Sequence, residues 1–481
     1  MKPSFLTSRS LHLEGLFAAY RNNAALISPA GTWTFGDIRE RLRGIVFHLK
    51  RAGVRRGDRV ALHGENGDLH LTLFLASWVI GFLYLPLDFK APLGSLLQND
   101  AVDFLVTAGE VPPSLKASIL RPADLREPSP SRTEDHPWPA VPLKREASAI
   151  FTSGSTGTPR GIVHTVGNYV YSALGTNEFI GLEPSDRWLV SLPLFHVGGV
   201  MIWVRTLLAG AACILPETMK AVEPAVRIYR PSVVSLVPAQ LIRFLESPET
   251  VCALKEAKTI MLGGAPSPAW LIEKALDFGL PIMPTYGATE SCAQVTGVRR
   301  GAERSAYFTA GETLPYRELR IAAGGTIRLG GRTLFSRYLE DSRVGYQRKN
   351  RFFDTADIGS IDPEGNLVVL GRQDGMFISG GENIHPFEIE NHLLVLAGIE
   401  TAIVTPAPHR EFGMAPWAFV EIAGPLDEAA IIADLKTRLP AYKVPKRIIR
   451  LDPQGKGGKL KYSRKDLASL AAAMVEREGD G

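Results

Sequence analysis

The sequence predicts an α/β protein: a large N-terminal domain of two α/β subdomains plus a β-rich subdomain, then a small α+β C-terminal domain. Three observations lead there. At 481 residues, 45% of them hydrophobic, the chain exceeds one ordinary domain and has enough apolar material for large buried cores. Helical and strand-like apolar patterns alternate through residues 11–284, the rhythm of largely parallel sheets covered by helices. From residue 311 the pattern shifts to short β-like segments, and a compact α+β run follows residue 374, dividing 1–373 from 374–481.

Taken in order, residues 11–26 have helical apolar spacing and Thr32-Trp33-Thr34-Phe35 alternates like a strand. Residues 38–52 read as helix and 58–63 as strand. Residues 71–87 carry no charge, but Thr72, Ser77, Gly81 and Pro86 and the short length argue against a membrane span. A buried helix over 71–79, a turn at Gly81 and a short strand ending at Pro86 fit better. The Pro-rich stretch 121–142 reads as a surface connection. Further on come helix 200–208, strand 233–237, helix 238–245, strand 258–262, helix 268–278 and strand 281–284. The β-like pieces 319–321, 326–329 and 367–370 are punctuated by Gly324-Gly325 and Glu364-Gly365, and no internal repeat is evident.

Charge and cysteine content exclude several classes. Fifty-four basic against 50 acidic residues give a net +4, too balanced for nucleic acid to be the main partner. Cys213, Cys252 and Cys292 form neither a disulfide framework nor a zinc pattern, and residues 1–10 lack the apolar core of a signal peptide. A cytoplasmic protein is expected, with a homodimer allowed.

The chemistry concentrates in a few stretches. An apolar run at 149–152 breaks into Thr152-Ser153-Gly154-Ser155-Thr156-Gly157-Thr158-Pro159-Arg160-Gly161. Its hydroxyls donate hydrogen bonds, and its glycines let backbone amides approach a ligand, which suits a polyphosphate. The Gly-Lys-Ser/Thr of the common phosphate loop is absent, because Gly157 is followed by Thr158 and Pro159. In Thr285-Tyr286-Gly287-Ala288-Thr289-Glu290, an aromatic could stack a base, Gly287 and Thr289 could approach phosphates, and Glu290 could hold Mg2+. Asp357 could accept from both ribose hydroxyls, or could simply be a turn residue before Ile358-Gly359. Near the C-terminus, Lys456, Lys459, Lys461 and Lys465 surround a glycine-rich stretch, as either a solvated tail or a source of one mobile cation.

The loop at 152–161 resembles the phosphate loop of the adenylate-forming superfamily, which comprises acyl-CoA ligases, luciferases and peptide-synthetase adenylation domains. Matching segments follow in family order: 193–199, Gly263-Gly264-Ala265, Tyr286 to Glu290, Asp357, 371–390 and the C-terminal lysines. The resemblance implies ATP, Mg2+ and CoA as cofactor or co-substrates and a small-molecule carboxylic acid as substrate. It implies that Arg372 reaches the nucleotide, and that Asp374 is the hinge of a mobile C-terminal domain. Ser379, Gly380, Gly381 and Glu382 would edge the CoA path, and Lys459 or Lys461 would serve adenylation. Two positions depart from the family: Arg160 stands where lysine is common, and Ala356 where Thr-Gly-Asp has glycine.

Within the superfamily, 188–199, 209–211, 235–241, 261–265 and 458–464 are similar to the o-succinylbenzoate–CoA ligase branch of menaquinone biosynthesis. The alternatives are a ligase for another aromatic or medium-chain acid, a luciferase-like oxygenase, and a non-catalytic nucleotide-binding homologue. In the favoured branch, His196, Gly198 and Gly199 would line the acyl pocket. Arg205, which interrupts an apolar helix, would bind the acid's second carboxylate, with Arg243 the next candidate. A structural ion pair is the competing reading of Arg205.

Overall fold

A computed structural model describes residues 3–89, 102–111, 113, 115–126, 137–152, 160–340, 351–379, 382–409, 412–451 and 463–479. Two seven-stranded sheets dominate the first 340 residues. One has the order Arg337–Tyr338, Arg160–Thr165, Glu146–Thr152, Leu83–Leu87, Arg59–His63, Phe104–Thr107, Ser118–Leu120. Its first three strands pair antiparallel and the rest parallel. The other runs Ile282–Pro284, Thr259–Leu262, Val233–Leu236, Arg187–Leu189, Ala212–Ile214, Ala24–Ser28, Gly31–Thr34, with only the last pair antiparallel.

Local chemistry accounts for the helices. The Thr34 hydroxyl accepts from the Asp37 amide at 3.1 Å while Asp37 accepts from the Thr34 amide at 2.8 Å, a reciprocal cap for helix Phe35–Arg51. Thr165 and Asn168 repeat the device at helix Val166–Ile180. The uncharged run resolves into helix Asp68–Ile80, buried from Leu69 to Trp78, with Gly81 in the left-handed region at φ +94° and then strand Leu83–Leu87. No described helix is long and apolar enough to cross a membrane.

The reading of 11–26 as one helix fails. The helix covers only Leu13–Ala19; Asn23 closes a turn onto the Tyr20 carbonyl, and Ala24–Ser28 joins the second sheet. An apolar period cannot register that interruption, whereas the unfilled edge beside Ala212–Ile214 can. The Pro-rich connection holds helix Pro122–Arg126 and strand Val141–Pro142, which pairs with Ser10–Leu11.

A four-stranded antiparallel sheet, Arg317–Ile321, Thr326–Gly331, Phe353–Ile361 and Leu367–Arg372, follows the two larger ones. The last segment packs helices Pro386–Leu394, Glu428–Arg438 and Arg464–Gly479 around strands Ile399–His409, Gly413–Ile422 and Arg447–Arg450. None of the buried clusters among the described residues mixes side chains from before residue 370 with side chains from after 376.

Candidate active site

The phosphate-loop candidate begins and ends on one hairpin. Thr152 and Arg160 stand directly opposite each other, so residues 153–159 join neighbouring strands rather than a strand to a helix. Ser153, Gly154, Ser155, Thr156 and Gly157 lie outside the described residues. The Arg160 end is held by the edge strand and the residues just after it. The Arg160 guanidinium lies 4.5 Å over the Tyr338 ring, and the Gly161 amide donates to Glu340 Oε1 at 3.2 Å. A Cβ on Gly161 would stand 2.7 Å from Leu339 Cβ, which explains a glycine there. Arg337, 4% exposed, donates bidentately to Glu146 at 2.7 and 2.8 Å and staples the edge strand across the hairpin.

The second sheet delivers Gly263-Gly264-Ala265 and Thr285-Tyr286 at the carboxyl ends of adjacent parallel strands, where open α/β sheets bind ligands. Gly263 packs so closely that a Cβ would meet Thr285 Oγ1 at 2.5 Å, and Gly264 turns at φ +79°. Gly287 pairs with Gln294 across a two-residue ladder, with room for no side chain against the Ala293 carbonyl. These glycines are therefore needed for backbone approach within the protein. The turn at Thr289 rests on the buried His164, whose Nε2 lies 2.7 Å from the Thr289 carbonyl. A carbonyl only accepts, so His164 carries its proton on Nε2; burial lowers its pKa to about 4 and keeps it neutral.

Residues from well-separated stretches of the sequence converge on this edge. Asp357 sits on a strand directly opposite Arg372, which removes the turn reading. The Tyr286 hydroxyl donates to Asp357 Oδ2 at 2.6 Å, and Arg372 Nη1 lies 3.6 Å from Asp357 Oδ1. Burial and the adjacent carboxylate raise the Tyr286 pKa, so it remains a donor. Burial also raises the pKa of half-buried Glu290, with Asp357 adding to the rise while Arg372 and Arg160 oppose it. Glu290 thus shares one field with Asp357, Arg372 and Arg160. A carboxylate held in such surroundings fits a cation brought by a polyphosphate. Among the described residues no three His, Cys, Asp or Glu side chains cluster as a metal site.

On the acyl side, helix Val197–Ala209 starts three residues earlier than expected, at the glycine pair. A Cβ on Gly199 would meet the Pro193 carbonyl at 2.1 Å, so Gly199 folds the helix onto the preceding loop; Gly198 is less tight, 3.1 Å from Leu192. His196 precedes the first turn with its ring 4.6 Å from Phe195. Solvent reaches it, yet partial burial holds its pKa below the usual histidine value, against the opposing pull of Asp88. Asn66 anchors this loop by accepting from the Leu194 amide at 2.9 Å, a role nothing in the sequence announces.

Arg205 is 2% exposed; its Nε and Nη2 have no hydrogen-bond partner, and its guanidinium faces the Trp188 ring at 5.2 Å. Burial lowers its pKa to about 10, so it stays cationic at neutral pH. No structural ion pair holds it among the described residues. Arg243, the second candidate, is exposed and reaches back to the Ala239 carbonyl of its own helix.

Downstream, Asp374 lies in a short turn, Gln373–Gly375, immediately after Arg372. Ser379, buried, pairs with Glu382 in the following hairpin. Gly380 and Gly381, like Lys459 and Lys461, lie outside the described residues. The segment after the lysines is anchored: Arg464 binds both carboxylate oxygens of buried Glu390, on helix Pro386–Leu394.

The two α/β sheets and the four-stranded sheet thus bring glycine turns, two carboxylates and arginines to one edge, an arrangement suited to a nucleotide-binding enzyme. Residues 16–338 match the AMP-binding enzyme family and 388–459 the AMP-binding enzyme C-terminal domain, so the chain belongs to that family. It is similar to the 2-succinylbenzoate–CoA ligases of Bacillus mycoides strain KBAB4 (30% identity; 92% of this chain and 94% of the relative) and Listeria monocytogenes serotype 4b strain F2365 (29%; 92% and 95%). It also resembles the solved o-succinylbenzoate CoA synthetase of Bacillus subtilis. With the acyl-adenylate bound, that structure gives a TM-score of 0.81 at 26% identity, covering 96% of this chain and 98% of that one. With ATP and magnesium ion bound, it gives 0.79 at 26%, covering 95% and 98%.

Proposed function

We propose that this protein is an AMP-forming acid–CoA ligase that converts o-succinylbenzoate to o-succinylbenzoyl-CoA. The observation that carries the substrate choice is Arg205, a buried guanidinium with two unsatisfied nitrogens and no carboxylate beside it among the described residues. Leaving a charge so is costly, and an acid with a second carboxylate completes it. The full-length likeness to 2-succinylbenzoate–CoA ligases supports the same choice.

In the first half-reaction an oxygen of the aliphatic carboxylate attacks the α-phosphorus of ATP. The bond to the bridging oxygen breaks, giving acyl-AMP and pyrophosphate. Loop 152–157 and Arg160 hold the phosphates, Gly263, Gly264 and Ala265 face the adenine beside Tyr286, and Asp357 and Arg372 hold the ribose. Thr289 and Glu290 face the phosphates, where Glu290 would ligate Mg2+, which supplies charge neutralisation. His196, Gly198 and Gly199 border the acyl chain, and Lys459 or Lys461 steadies the reacting carboxylate. The unit 374–481 then turns about Asp374, and Ser379, Gly380, Gly381 and Glu382 come to edge the CoA path. The thiol, losing its proton, attacks the carbonyl carbon and AMP leaves. Catalysis is positioning and charge stabilisation, with no covalent enzyme intermediate. Three unpaired cysteines support a cytoplasmic setting.

CoA-dependent AMP release tests the proposal, with o-succinylbenzoate beside benzoate, 4-coumarate and octanoate. A clear preference for o-succinylbenzoate, weakened chiefly in KM by Arg205→Ala, is expected. Faster turnover of another acid would sink the substrate assignment and leave adenylation standing.

A further inference from the structure

A second buried arginine lies within reach of the charge of Arg205. Arg317, 7% exposed, opens the strand Arg317–Ile321, and the sequence reading assigned it nothing. Its Nε donates to the Gln294 carbonyl at 2.8 Å and Nη1 to the Pro315 carbonyl at 2.8 Å. Nη2 donates to the Ser172 carbonyl at 2.9 Å and to Ser172 Oγ at 3.1 Å. Every acceptor is neutral, so the fork is satisfied while its charge is not. Gly175 makes room for it, since a Cβ there would stand 2.2 Å from Nη1.

Arg205 and Arg317 share a neighbour. Ser172 Oγ, one of Arg317's acceptors, itself donates to the Cys292 carbonyl at 2.6 Å. Cys292 Sγ lies 3.8 Å from the sulfur of Met201, one helical turn before Arg205. The charge of Arg205 is felt at Arg317, where it adds to burial in lowering the pKa to about 9, still cationic at neutral pH. Holding three segments together needs only hydrogen-bond donors. A guanidinium adds a costly buried charge, beside another buried guanidinium and with no carboxylate partner among the described residues.

We infer that Arg317 is a specificity-determining positioning residue, a second positive charge within reach of Arg205 that favours acids with two carboxylates over acids with one. The inference rests on the proposed function, and acts through Arg205 rather than by contact with the substrate. Two acids test it: o-succinylbenzoate, and 3-benzoylpropionate, the same molecule without its ring carboxylate. The wild-type chain is measured first; no AMP release with o-succinylbenzoate would refute the proposed function and is read separately. Arg317→Leu is expected to lower kcat/KM for o-succinylbenzoate about tenfold, the scale of one partly screened charge inside a protein, and that for 3-benzoylpropionate less than about twofold. Arg317→Lys, which keeps the charge but not the fork, should retain most of the preference. Equal losses for both acids in Arg317→Leu, or loss of the preference in Arg317→Lys, would show a purely structural role and overturn the inference. If Arg317→Leu does not fold, the same ratio is read from Arg317→Gln.

Discussion

In the proposed nucleotide region, Asp357 lies between the Tyr286 hydroxyl and an Arg372 whose side chain is 55% exposed; in the proposed acyl region, Arg205 is 2% exposed and meets no carboxylate among the described residues. The first region balances its charges within the protein and leaves them in reach of water, where partners can be exchanged for ribose hydroxyls at small cost. The second keeps cations in a medium that solvates them poorly, and an anion that enters there is worth far more than at the surface. Under the proposed function, a general reactant and a discriminating one would thus be recognised by different electrostatics.

The comparison can be broken at either end. Glu290→Gln removes the carboxylate proposed for the metal and should cost about 100-fold in kcat, with unfolding by urea little changed. A loss in stability as large as the loss in rate would mark Glu290 as structural. Arg205→Met should raise KM for o-succinylbenzoate about 30-fold while leaving the ligand-free protein as stable or more so, because an unpaired buried charge has gone. A destabilised variant would show that Arg205 has a partner in the free protein. Tyr286→Phe deletes one hydrogen bond to Asp357 and should raise KM for ATP by about fivefold, with the acid KM unchanged; a shift in the acid KM instead would mean the two regions are coupled there.

A further prediction concerns pH and stability rather than the reactants. Burial lowers the pKa of both His164 and His70 to about 4, whereas in the unfolded chain each titrates at the ordinary histidine value of 6.5. Between those values the unfolded chain binds more protons than the folded one, so stability should rise with pH from about 4 to 6.5 and level off above it. Each histidine contributes up to about 3 kcal/mol across that window. His164→Gln should flatten part of the slope in urea titrations at several pH values; an unchanged slope would mean His164 does not stay neutral.

Much of the architecture was legible because apolar period reports which faces are buried. The uncharged run at 71–87 became a helix, a glycine turn and a strand within three residues of expectation, since Gly81 at φ +94° is a backbone requirement that shows in sequence. The strand Ala24–Ser28 was missed because its place is set by the neighbouring strand rather than by its own pattern. Glycines 199, 263 and 287 were visible as glycines, but what each approaches was not: in all three cases it is protein backbone or a threonine side chain.

Arg205 illustrates the boundary. Its position in an apolar helical run follows from the order of residues alone, as does the alternation that makes the fold α/β, because helix and strand periods are properties of the chain. That no carboxylate meets it among the described residues, that Arg243 faces solvent and that Arg317 lies within reach of its charge were decided by packing, since residues more than a hundred positions apart become neighbours only when the sheets and helices close on one another. Covalent order sets what each segment can become, whereas the burial and pairing of charge depend on long-range contacts that exist only in the folded chain.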